Sequence, residues 1–81
     1  MSGPTAQTIL EEVLSSAIES ALKARETADS NPFDNGLLMA YYDVIETAKT
    51  QAAIMEIEFG DRTIANFDPD AELRNWKRKA A

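Results

Sequence analysis

Two stretches of the chain, residues 5–28 and 37–59, contain neither glycine nor proline, and they carry apolar or small residues at steps of four and three. That spacing keeps one side of an α-helix apolar, whereas a strand needs a step of two. In the first stretch the series is Leu10, Leu14, Ala17, Ala21, Ala24 and Ala28; in the second it is Leu37, Tyr41, Val44, Ala48, Ala52, Met55 and Phe59. Glycine and proline fall only at the joints: Gly3 and Pro4, Pro32 and Gly36, then Gly60 and Pro69. The pattern predicts a helix over 5–28, a loop over 29–36, a helix over 37–59, a connector over 60–67 and a short helix over 68–79.

Local signals support the ends of these helices. Thr5 or Thr8 can cap the first, with Thr8-Ile9-Leu10-Glu11 fitting a capping box. Asp34 and Asn35 can cap the second, and Gly60 suits the left-handed position that closes a helix. Asp68-Pro69-Asp70 reads as a third start, with a capping carboxylate and proline at the first helical position.

The two apolar series mirror each other about the loop. Leu10 faces Met55, Leu14 Ala52, Ala17 Ala48, Ala21 Val44, Ala24 Tyr41 and Ala28 Leu37, and each pair of numbers totals 65 or 66. An antiparallel helical hairpin has this property, with small residues opposite large ones. The expected fold is therefore all-α, a single domain made of a long hairpin and a short C-terminal helix.

The hairpin leaves apolar residues over. Ile9, Val13, Ile18 and Leu22 lie beside the first seam; Leu38, Tyr42 and Ile45 flank the second, with Ile54 and Ile57 almost opposite. Leu73 and Trp76 share one side of the short helix. Such a surface calls for cover by the last twenty residues, by a second copy or by another protein. The expectation is a partner or dimer interface built from these eleven residues, two hairpins making a four-helix homodimer.

The chain has no histidine and no cysteine. Disulfide frameworks, Cys/His zinc sites and the Ser-His-Asp or Cys-His triads are excluded. Asn66, Asp68, Asp70 and Glu72 alternate like calcium ligands, but the places that a calcium loop gives to glycine and to a bidentate glutamate hold Ala71 and Lys77. Glu11, Glu12, Asp43, Glu46, Glu56 and Glu58 read as solvated helix faces. No catalytic residue, metal or cofactor is expected, and the chain does not read as an enzyme.

Fourteen acids and eight bases give a net charge of −6. All the acids lie in residues 1–73, while Arg74, Lys77, Arg78 and Lys79 make the tail basic. Four cations beside an acidic body do not make a nucleic-acid module, so direct nucleic-acid binding is not expected. The longest apolar run, Leu37–Tyr42, is too short to span a membrane, and no signal-like region opens the chain, which gives the expectation of a cytoplasmic protein. The functional expectation is a small adaptor or regulator acting through helical surfaces. The alternative is an acidic inhibitor occupying the nucleic-acid-binding groove of a partner protein.

Overall fold

The computed structural model describes residues 5–77, and all regular structure among them is helical. Helix α1 spans Ala6–Arg25 and α2 spans Pro32–Ile54. A short helix α3, Arg62–Asn66, follows, and then a single π-helical turn, Asp70–Arg74.

Each start is set by a side-chain oxygen. The Thr5 hydroxyl accepts from the Thr8 amide at 3.1 Å, so Thr8 lies inside α1 and its capping box with Glu11 does not form. Glu11 instead accepts from the Gly60 amide at 3.0 Å, tying the start of α1 to the segment after α2. The second helix begins five residues earlier than the apolar series suggests. Asn31 Oδ1 accepts from the Phe33 and Asp34 amides, and Pro32 takes the first helical position, where its missing N–H costs nothing. Asp61 and Asp68 act likewise for α3 and the π turn. The short helix expected over 68–79 is thus a π turn at Asp70–Arg74, and its last residues lie outside the described range.

The helix ends are corrected as well. Beyond Arg25, α1 tightens into turns in which Glu26, Thr27 and Ala28 each donate to the carbonyl three residues back. At the end of α2 the left-handed residue is Glu56, with φ 58°, and not Gly60. The Glu56 amide donates to Ala53 and the Ile57 amide to Ala52, the two bonds of a Schellman motif. That motif stops α2 before the chain reaches Phe59.

α1 and α2 run antiparallel, joined at one end by a hydrogen bond from the Thr27 hydroxyl to the Asp34 carboxylate and at the other through Gln7, which donates to the Glu58 carbonyl. Ala24 and Leu37 line one hollow, Ala17 and Val44 another. Tyr41 borders both hollows, so Ala24 shares its hollow with Tyr41 as well as with Leu37. α2 turns Leu38, Ile45 and Ala52 fully inward and leaves Val44 and Met55 exposed.

The core is not the seam alone. Leu14, Ile18, Ala21, Ala24 and Ala28 meet Leu38, Ile45, Ile64 and Leu73 in one buried cluster. Ile18, Leu38, Ile45 and Leu73, counted in the sequence as partner interface, are at most 4% exposed, so they offer no surface to a partner. The chain's own last residues cover them: Ile64 of α3 and Leu73 of the π turn complete the core that α1 and α2 begin. Burying such side chains contributes about 1.5–3 kcal/mol each, enough to hold a segment too short to be helical by itself.

Candidate interaction surface

The α1–α2 pair has two broad faces, and the C-terminal segment occupies one. Polar clasps reinforce its apolar contacts. Lys49 Nζ donates to the carbonyls of Ile64 and Phe67, both at 2.6 Å, and to that of Ala65 at 3.3 Å. The three carbonyls lie at the end of α3, where that of Ile64 also accepts from the Phe67 amide at 3.2 Å. Partial burial holds the Lys49 ammonium below its usual pKa, with the Asp68 carboxylate opposing. Arg25 Nη1 reaches the carbonyl and carboxylate oxygens of Glu72, each at 3.1 Å. The Tyr42 hydroxyl donates to Asp70 at 2.6 Å, and that bond raises its pKa, with Arg74 opposing. Lys77 pairs with Asp29 and lies 5.8 Å from the Trp76 ring centre.

Among the described residues, the start of the basic tail is paired with acids of the chain. Arg74 pairs with Asp70 at 3.7 Å and Lys77 with Asp29, so two of its four cations are engaged within the chain. Arg78 and Lys79 lie outside the described residues.

The other face is open. On α1 the helical repeat aligns Ile9, Val13, Ala17 and Ser20; on α2 it aligns Phe33, Leu37, Val44, Ala48 and Met55. Ile9 is 53% exposed, Val13 56%, Val44 55%, Met55 68% and Phe33 72%. Between the helices runs a shallow trough with Val13, Ala17, Tyr41 and Val44 along it and Ser16 and Ser20 on its α1 side. Small residues keep it low, and the large apolar ones stand along its length. Glu12 borders the trough, and Lys23 borders the hollow that continues it.

Of the eleven residues singled out in the sequence, only Ile9 and Val13 belong to this face. Ile54 is 68% exposed but lies off the stripe, since it follows Val44 by ten residues, about 80° short of three turns. Leu22, Tyr42 and Trp76 are half-buried against the core, and Ile57 is half-buried beyond the end of α2. Val44 and Met55 are assigned to the internal seam by the mirrored series, and Phe33 to the loop, yet all three are exposed. The signal that would have found Phe33 is the dipeptide Asn31-Pro32, which starts α2 early and brings it into line with Leu37 and Val44.

A hollow of about 650 Å³ lies elsewhere, beside Lys49, Ile57, Glu58, Phe59 and Arg62. Lys49 is engaged there with backbone carbonyls, which leaves Glu58 and Arg62 as its other ionisable side chains. Asp68, first among the aspartates of the calcium-like array, uses its Oδ1 to accept from the Asp70 and Ala71 amides. Among the described residues no group of three or more acidic side chains is placed to hold a metal ion, and no helix is long and apolar enough to cross a membrane.

Comparison of the chain with protein-family models, with curated proteins and with solved structures gives no match. What the protein does has to be read from its own surface.

Proposed function

We propose that this protein is a non-enzymatic interaction module, an adaptor or regulator that binds a protein partner through the open face of the α1–α2 pair. One observation carries the reading: the large exposed apolar side chains Ile9, Val13, Val44, Met55 and Phe33 stand on one face, while the opposite face is closed by the chain's own C-terminal segment. A solvated face gains nothing from aliphatic residues aligned over several turns, whereas a helical partner buries them at about 25 cal/mol per Å².

Capture from an extract at about 0.1 M and about 1 M salt tests the reading, because a Debye length of about 3 Å at the higher salt removes long-range charge effects. A partner that survives high salt and is lost with Val13→Lys, but not with Met39→Lys, supports it. A partner lost with salt and indifferent to Val13→Lys contradicts it, and favours an acidic surface seated in a basic nucleic-acid-binding groove.

A further inference from the structure

The turn between α2 and the C-terminal segment runs against its own sequence. Residues 55–59, Met-Glu-Ile-Glu-Phe, hold neither glycine nor proline, and Gly60 follows where a helix could end. Yet α2 stops at Ile54, and the reversal is made by Glu56 at φ 58°, a conformation that is costly for a residue with a Cβ. Four of the six residues 55–60 (Met55, Glu56, Glu58 and Gly60) are exposed. Tethers to α1 run from Gln7 to the Glu58 carbonyl and from the Gly60 amide to Glu11. If α2 continued to Phe59, the Glu58 and Phe59 amides would donate to the Ile54 and Met55 carbonyls, and Glu56 would leave the left-handed region.

Beyond the turn, the segment lies along the hairpin in one direction. On α2, Lys49 holds Ile64 and Phe67, and Tyr42, nearer the start of the helix, holds Asp70. On the other side Arg25 holds Glu72, and Asp29 holds Lys77. The segment therefore runs antiparallel to α2. With the turn straightened, α2 and the segment point the same way, and a two-fold axis across the hinge sets α2 of a second copy antiparallel to that segment. Each segment then meets the other copy's α2 in the sense it has within one chain.

From this relation we infer that residues 61–77 exchange between two copies of this chain, hinged at Glu56. Ile64 and Leu73 take the same place among Leu14, Ile18, Leu38 and Ile45, now of the second copy. The exchange remakes the segment's core contacts and polar clasps between copies, while both copies shed the left-handed residue. That is why the occupant is a second copy, which carries the identical segment. The core stays covered in both forms, and the open face of the α1–α2 pair is not used. The inference therefore stands or falls apart from the reading of that face.

Sedimentation equilibrium and small-angle scattering of the full chain, from about 1 to 500 μM, test this. In the upper part of that range the wild type is expected at twice 8.9 kDa. Its longest dimension should approach twice the 48 Å of one copy, because the two bodies lie end to end about the hinge. Glu56→Gly eases the left-handed turn and weakens the continuous helix, and should loosen the dimer by at least about 10-fold. Glu56→Thr makes the left-handed turn worse, since the new side chain is β-branched, and should tighten the dimer by at least about 3-fold. Both variants remove the same charge, so opposite directions report the backbone alone. Circular dichroism checks that each variant is folded, position 56 being exposed. A wild type that is monomeric throughout the range overturns the inference. So does a dimer no longer than one copy, or one that both variants shift the same way.

Discussion

Lys49 on α2 donates from Nζ to the carbonyl of Phe67 at 2.6 Å, with the carbonyls of Ile64 and Ala65 on the same ammonium. One side chain thus closes the end of α3 and anchors the segment that completes the core. Lys49→Met keeps the aliphatic stem but removes the ammonium from those carbonyls, of which only that of Ile64 keeps a second donor, the Phe67 amide, among the bonds described. The variant is expected to lose about 1–2 kcal/mol in urea unfolding followed by Trp76 fluorescence. Amide exchange should accelerate first in residues 61–76, and an unchanged exchange pattern would show that the clasp does not hold the segment.

Ile45 and Leu73 are both fully buried, one on each side of the contact between α2 and the C-terminal segment. Ile45→Ala or Leu73→Ala should cost about 2–4 kcal/mol through lost burial and a cavity. A core of this size supplies only about 3–5 kcal/mol in total, so either variant should be largely unfolded near 37 °C. A fully folded Ile45→Ala with altered self-association alone would mean that Ile45 belongs to an interface after all.

Glu56 holds a left-handed backbone with φ 58° at the position where a Schellman motif favours glycine. Glu56→Gly should therefore stabilise the chain by about 0.5–1 kcal/mol, relief of the backbone exceeding the added flexibility of the unfolded state. Thermal unfolding reads this directly. A lower melting temperature would contradict the assignment of Glu56 as the helix terminator.

Tyr42 has its pKa raised above 10.0, chiefly because its hydroxyl donates to Asp70. A group whose pKa is higher in the folded state stabilises fully below its unfolded pKa and loses that contribution as pH rises through the folded value. Stability should fall above about pH 10, and Tyr42→Phe should reduce that fall. Urea midpoints at pH 7, 10 and 11 for both proteins make the comparison; parallel losses would show that Tyr42 is not responsible.

The long helices were legible because step-of-three-and-four spacing is a strong local signal, and Asp68-Pro69-Asp70 marked the start of the C-terminal turn correctly. The side of α2 that turns inward was not legible. Pro32 read as a breaker within a loop, although Asn31 before it makes the pair a helix start. Val44 and Met55 moved from seam to surface, and Leu38 and Ile45 from surface to core. The last twenty residues were legible as one of three candidate covers, but the choice among the three was not, since a five-residue helix and one π turn have too few residues to show a period. Their fold depends on contacts far away in the chain, which local pattern does not encode.

The most direct test of the open face as the interaction surface uses the absence of cysteine from the chain. Val44→Cys and Met39→Cys each introduce a single thiol, the first on the open face and the second on another side of α2. The reading predicts that the captured partner slows maleimide labelling at position 44 and leaves position 39 at its free rate. Equal labelling at position 44 with and without the partner, or protection at position 39 alone, would contradict it.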